Sequence, residues 1–286
     1  MSGPAAAVSP HSAPVLTAPA HWRVIDFISD LHLNAGEPDT LHAWQHYLQT
    51  TRANAVFILG DLFDVWVGDD VLRDSPADSP SIFAFEQHCV QTLHAASQRL
   101  TVFFMRGNRD FLVGKAFAAA CDLTLMDDPT VLIVEDERYL LSHGDSLCLD
   151  DTDYMQFRAM ARSDTWQRTF LQQSLQDRCA LGKSIRAQSE ERKRRNGQYI
   201  DLRASAVDEW LLANRCSTLI HGHTHRPAVH ALGANRRRVV LSDWDARSTP
   251  ARTEVLRLYT ESTSPTEPTK VPHALRRIEA ARAHLP

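Results

Sequence analysis

The chain has 286 residues, 43% hydrophobic and 23% charged, with a net charge of −4. This is an ordinary globular composition, long enough for one large α/β domain or a domain carrying an insertion. The acidic balance argues against nucleic acid as a partner, and no apolar run approaches the roughly 18 residues of a membrane-spanning helix.

Cys89, Cys121, Cys148, Cys179 and Cys216 are odd in number and contain no Cys-x-x-Cys. They read as reduced thiols of a cytosolic protein. Residues 1–21 lack a charged n-region and a clean apolar core, so a disordered leader is expected there rather than a signal peptide. Residues 22–28 read as a strand ending in Ser29-Asp30-Leu31-His32, 39–52 as a helix and 55–59 as a buried strand running into Gly60-Asp61. A helix over 81–98 and a strand over 100–105 follow; the strand ends in Arg106-Gly107-Asn108-Arg109. A short helix is expected at 113–121, then a hairpin of 131–134 with 138–141 that leads into Ser142-His143-Gly144-Asp145.

Residues 150–212 carry only helical patterning. A short strand at 219–220 precedes His221-Gly222-His223-Thr224-His225. A hairpin of 229–232 with 238–242, a strand at 253–259, a Ser/Thr/Pro-rich linker at 260–272 and a final helix at 274–285 complete the pattern. The alternation of elements predicts a mostly parallel sheet in the first half and hairpins in the second.

Several predicted strands end in a metal-type residue: Asp30 and His32, Asp61, Asn108, His143, then His223 and His225. In open α/β folds the carboxyl edge of the sheet is where ligands bind. Asp-x-His can converge on one ion; His223 and His225 can share an ion or divide between two. The mixture of carboxylate, amide and imidazole suits Mn²⁺, Fe²⁺ or Mg²⁺ rather than a zinc–thiolate site. Two such ions, with Asp61 bridging, can activate a hydroxide and clamp a phosphoryl group. Arg109 is placed to neutralise phosphoryl oxygens.

These motifs, in this order, resemble the calcineurin-like metallophosphoesterases: Asp30-Leu31-His32, Gly60-Asp61-Leu62-Phe63-Asp64, Gly107-Asn108-Arg109-Asp110, His143-Gly144-Asp145 and Gly222-His223-Thr224-His225. The resemblance covers about residues 22–258 and implies an α/β fold, the αββα sandwich, with a helical cap insertion. It implies Asp30, His32, Asp61 and His225 around one ion, and Asp61, Asn108, His143 and His223 around the other. Many members have His after Gly-Asn; here Arg109 takes that place, which puts a simple histidine general acid in doubt.

Arg109, together with Trp66-Val67-Gly68-Asp69-Asp70 and the Asp151-x-x-Tyr154 spacing, is similar to the branch that hydrolyses UDP-2,3-diacylglucosamine in lipid A biosynthesis. The branch implies two Mn²⁺ and attack of activated hydroxide on the α-phosphorus, giving UMP and 2,3-diacylglucosamine 1-phosphate (lipid X). It implies a core of 22–149 with 213–260, a cap at 150–212, and a linker and C-terminal helix at 261–286.

Asn108, Arg109, Asp151, Tyr154, Arg186, Ser189 and His223 fall where the branch contacts substrate. Lys193 and Asn196 stand where it has Asn and Lys, respectively. The branch resemblance implies a lipid-linked nucleotide substrate; the apolar and basic cap residues fit it and predict peripheral contact with the cytoplasmic face of the inner membrane, and a monomer is expected. The alternatives are a generic dinuclear phosphodiesterase, a nuclease of the same fold, and a non-catalytic interaction scaffold.

Overall fold

The computed structural model describes residues 12–73, 83–196, 200–260 and 274–285; side chains at 188–190 and 192–196 are not described. The linker expected at 260–272 and the first half of the expected leader lie outside the described residues, apart from Thr260.

Strands are numbered in chain order. In one six-stranded sheet β2 (Val24–Ile28), β3 (Ala55–Leu59), β4 (Thr101–Met105) and β5 (Thr124–Met126) are parallel. The antiparallel β11 (Glu254–Tyr259) and β12 (Ala274–Glu279) extend it beyond β2. The second sheet holds β1 (Val15–Thr17), β6 (Thr130–Val134), β7 (Glu137–Ser142), β8 (Thr218–His221), β9 (Ala228–Gly233) and β10 (Arg236–Val240). Its order is β1-β6-β7-β8-β10-β9.

The uniformly apolar β3 is buried on both faces because both faces are covered. Side chains alternate along the strand, so Ala55, Phe57 and Leu59 enter the core between the sheets. There Phe27, Phe57 and Phe103 stack at 5.3 and 4.6 Å between ring centroids, in one cluster with Leu132, Leu141, Ile220 and Val239 of the other sheet. Val56 and Ile58 point the other way, into a cluster with Trp44 and Tyr47 of α1 (Pro38–Thr50), Leu93 of α2 (Ala84–Ser97) and Phe117 of α3 (Lys115–Cys121). The layers are therefore α, β, β, α, as the resemblance implied.

Three helices, α4 (Thr152–Ala161), α5 (Asp164–Leu171) and α6 (Leu175–Asn196), follow β7. The next helix, α7 (Ala204–Ala213), is different. Its Val207, Trp210 and Leu211 pack with Val131, Leu140 and Leu219 on the outer face of the second sheet. It is the outermost layer of the sandwich, although the expected cap of 150–212 took in most of it.

Two expectations are corrected. Residues 274–285 are not a helix: Ala274–Glu279 pairs antiparallel with β11, and a 3₁₀ turn over Ala280–Arg282 follows. Sheet pairing at a free edge overrides the helix propensity of its Ala, Leu and Arg. Leu275 reaches the core between the sheets and Ile278 the helical face. The leader is also not wholly unstructured. Val15, Leu16 and Thr17 pair in parallel with β6, and the Ala13 N–H donates to Asn214 Oδ1 at 2.8 Å.

Candidate active site

The loops after β2, β3, β4, β7 and β8 meet at one edge of the sandwich, and they carry Asp30 and His32, Asp61, Asn108, His143, and His223 and His225. Asp30 and Asp61 are buried, as is His143. Asp30, His32 and His225 offer ligand atoms within 4.8 Å of one another, as do Asp30, Asp61 and His143. Asn108 closes the second half of the site, its Oδ1 lying 2.9 Å from His143 Nε2 and 2.8 Å from His223 Nδ1. All seven metal-type residues read from the sequence are thus brought together.

The backbone is strained to do this. Asp30, His32, Asp61, His223 and His225 have φ of 56°, 47°, 53°, 69° and 53°. Left-handed non-glycine residues cost on the order of 1–3 kcal/mol each and cluster at functional sites. Two glycines permit the close approaches. A Cβ on Gly107 would lie 2.1 Å from Asp61 Oδ1, and one on Gly222 would lie 2.3 Å from Asp30 Oδ2.

The charges explain why cations fit. Burial disfavours an ionised Asp30, but the hydrogen bond and charge of His225, with His143 and His32 beyond, hold its carboxyl well below the usual range. Burial pushes the Asp61 carboxyl up against the pull of His143, and the Asp30 charge adds to the rise. Burial likewise opposes a charged His143, yet Asp61, Asp30 and Asp145 raise it to about 9. Two buried carboxylates facing a ring of imidazoles form a donor set for divalent cations, which would replace the imidazolium protons on binding. His143 Nδ1 lies 2.9 Å from the Leu59 carbonyl and fixes the ring, leaving Nε2 toward the site. His225 Nδ1 faces Asp243 Oδ2 at 3.8 Å, and Arg252 in turn holds Asp243.

Around this centre the other expected residues divide. Arg109 donates its backbone N–H to Asp61 Oδ1 at 2.8 Å and lines a cleft with Asn108. The Tyr154 ring stacks on His223, with centroids 6.0 Å apart, and its hydroxyl donates to Asp145 Oδ2 at 2.5 Å. Arg186 pairs with Asp64 at 2.7 Å on the rim of that cleft. Asp151 caps α4, accepting the Tyr154 N–H at 3.1 Å. Ser189, Lys193 and Asn196 lie on α6, but their side chains are outside the described residues.

Residues assigned no role in the sequence reading hold the site in shape. Asp110 accepts N–H groups from Gly107 (2.7 Å), Leu62 (2.8 Å), Asp61 (3.3 Å) and Phe63 (3.4 Å), tying the β3 and β4 loops together. Asp145 receives Arg158 at 2.7 Å besides Tyr154, and Arg162 donates to the Gly107 carbonyl at 2.9 Å, so α4 is fastened to two catalytic loops. Both acids stood in the quoted motifs, Asp110 after Gly-Asn-Arg and Asp145 after His-Gly. Their place in the motif was the available signal; their partners are remote in sequence.

The stretch Trp66–Asp70 also has a structural explanation. Arg178 of α6, 2% exposed, donates to the Val67 carbonyl at 2.6 Å and makes a two-pronged contact with Asp70. Asp69 accepts from Trp66 Nε1, Gly114 N and Phe117 N. The stretch latches α6 to the core.

The profile of the calcineurin-like phosphoesterases matches residues 23–227. The chain belongs to the calcineurin-like phosphoesterase family. A UDP-2,3-diacylglucosamine hydrolase of Chromohalobacter salexigens is 42% identical over 224 residues, covering 76% of this chain and 87% of the relative. Proteins of the same name from Chromobacterium violaceum and Pseudomonas entomophila are 45% and 38% identical, covering 77% and 78% of this chain and 90% and 92% of theirs.

Proposed function

We propose that the chain hydrolyses the pyrophosphate of UDP-2,3-diacylglucosamine, releasing UMP and 2,3-diacylglucosamine 1-phosphate. The observation that carries this is an apolar cleft opening directly onto Asn108 and Arg109. Phe111, Leu112, Phe157, Trp166, Phe170 and Ile185 line it, and Arg186 stands at its rim. A lipid-linked pyrophosphate needs that combination, whereas a generic phosphodiesterase needs only the metal-type residues. Relatives at about two-fifths identity named as UDP-2,3-diacylglucosamine hydrolases support the same reading.

Asp30, His32, Asp61 and His225 would hold one divalent cation, and Asp61, Asn108, His143 and His223 the other, with Mn²⁺ the first choice. Together these ions would supply a hydroxide nucleophile at neutral pH and neutralise charge on the α-phosphoryl group. Arg109 adds a fork of N–H donors for the phosphoryl oxygens. Tyr154, fixed by Asp145 and stacked on His223, orients that imidazole. Burial and the neighbouring Asp145 push the Tyr154 phenol well above its usual range, so it stays a neutral donor. The apolar walls enclose only about 50 Å³; parted by the acyl groups, they would exclude water from the leaving phosphate.

The cap is α4 to α6, with Asp151 acting through the helix it caps. No helix among the described residues is long and apolar enough to cross a membrane. The exposed Met160 and Leu171 on the cap, with the basic Arg192, Lys193, Arg194 and Arg195 of α6, support peripheral contact with an anionic inner-membrane surface. Changing those four basic residues to Ser should abolish salt-sensitive pelleting with anionic vesicles; a wild type that never pellets removes this part of the reading.

The deciding assay is UMP release from UDP-2,3-diacylglucosamine by the Mn²⁺-loaded protein. Turnover of bis-p-nitrophenyl phosphate with none of the lipid nucleotide would leave only a generic phosphodiesterase. Asp61→Ala should lower kcat by at least about 10³-fold with the circular dichroism spectrum unchanged, since it removes the carboxylate that would serve both ions.

A further inference from the structure

Helix α6 separates two cavities. Gly182 and Ile185 face the apolar cleft, while Cys179, Lys183 and Ala187 face a second groove of about 840 Å³. The cavities meet at a wall of residues 64–67 and at Arg186, which line both. The second groove starts at the loop after His32, at Leu33 and Asn34, and runs to the first turn of α2. Its lining is mixed, with Phe83, Phe85 and Val71 set among Asn34, Glu86 and Lys183.

The substrate proposed above is likewise divided: an acyl half, a nucleoside half, and a pyrophosphate between them. By the chemistry of its lining, the acyl half belongs with the rings and aliphatic side chains of the first cleft, whose walls enclose only about 50 Å³ and must part to admit it. An acyl chain in the second groove would strip water from Lys183 and Glu86 and give them nothing in return. A nucleotide uses each of these groups. Its base has a π-face for an aromatic ring, its ribose hydroxyls are donors for a carboxylate, and its phosphate pairs with Lys and Arg. The volume is within the range of about 300–1,000 Å³ usual for small-ligand sites. Arg186, shared by both cavities and anchored to Asp64, lies where the pyrophosphate must pass.

We propose that the groove bordered by Asn34, Phe85, Glu86 and Lys183 is the uridine monophosphate subsite, with the acyl half on the other side of α6. This rests on the lipid-nucleotide reading of the active site. It makes Lys183 and Phe85 specificity determinants for the nucleotide and not for the lipid.

The test is calorimetric titration of the Mn²⁺-loaded wild type and of Lys183→Glu with UMP and, separately, with lipid X. Lys183 is exposed, so its replacement leaves the fold intact; Phe85→Leu, which keeps most of the packing against the core, serves as the second variant. UMP should bind about tenfold more weakly to Lys183→Glu, the usual worth of one charge-assisted contact, while lipid X affinity moves less than about twofold. Phe85→Leu should weaken both UMP and uridine, a probe with no phosphate to reach the ions. Unchanged UMP affinity in both variants, in a wild type that does release UMP from the lipid nucleotide, overturns the subsite alone. A loss confined to lipid X assigns the groove to the acyl half and overturns it equally. A wild type that releases no UMP overturns the functional reading, and the subsite with it.

Discussion

His221 shows how a residue next to the site contributes to stability without holding anything in it. It ends β8, fully buried, with Nδ1 2.9 Å from the Gly222 carbonyl. Burial lowers its pKa to about 4, against about 6.5 in an unfolded chain. The folded state therefore prefers the neutral ring. That preference is complete above about pH 6.5 and is lost as the pH falls through 4. The gap is worth about 3 kcal/mol. Between pH 7 and pH 4 the unfolding free energy of the wild type, measured in urea, should fall by roughly that much more than in His221→Asn. Equal slopes would place the proton elsewhere. Asp110 works in the opposite sense. Burial and the charge of Asp61 raise it to about 7, so the stability gained from its protonated form is present below about pH 4 and lost as the pH rises through 7. The four N–H groups it accepts favour the charged form and limit that rise.

At the scale of elements, α4 and α6 are fixed to the core by different chemistry, and the two attachments are separable. For α6 it is the buried Arg178 fork on Val67 and Asp70. Its hydrogen bond holds the Asp70 carboxyl below the usual range. Arg178→Ala should destabilise the protein by about 1–3 kcal/mol, the cost of leaving the buried Val67 carbonyl without its donor, and should raise KM for the lipid nucleotide far more than for bis-p-nitrophenyl phosphate. A parallel rise for both substrates would show that α6 does not shape the lipid cleft. For α4 the attachment is Asp145 with Tyr154, Arg158 and Arg162, and Asp151 caps the helix. Asp151→Ala should therefore cost about 1 kcal/mol and speed hydrogen exchange in the first turn of α4, with a small change in KM. A tenfold rise in KM without that exchange change would return Asp151 to the substrate, where the branch pattern implied it.

For the whole molecule, the strained loops and the pair of buried carboxylates make folding and metal loading one equilibrium. A ligand present at 100 times its dissociation constant adds about 2.7 kcal/mol of stability when it binds only the folded state. Excess Mn²⁺ should therefore raise the melting temperature of the chelator-treated protein, and Asp61→Ala should blunt that rise. A melting temperature indifferent to Mn²⁺ would mean that the centre is set by the protein alone.

The ligand-type residues could be read from sequence because each stands where an apolar run stops, and both the run and the residue type are local. The strand ends before Asp30, Asp61, Asn108, His143 and His223 needed only the burial of β2, β3, β4, β7 and β8 to be legible. Three things were decided by tertiary contacts. Residues 274–279 became a strand because an unpaired edge of β11 was available, a fact no local window contains. Helix α7 joined the outer layer because Trp210 and Leu211 meet Leu140 and Leu219. Trp66–Asp70, readable only as a branch signature, proved to be the latch for Arg178, 108 residues from Asp70. Local pattern fixes which groups a strand delivers; pairing between distant segments fixes what those groups meet.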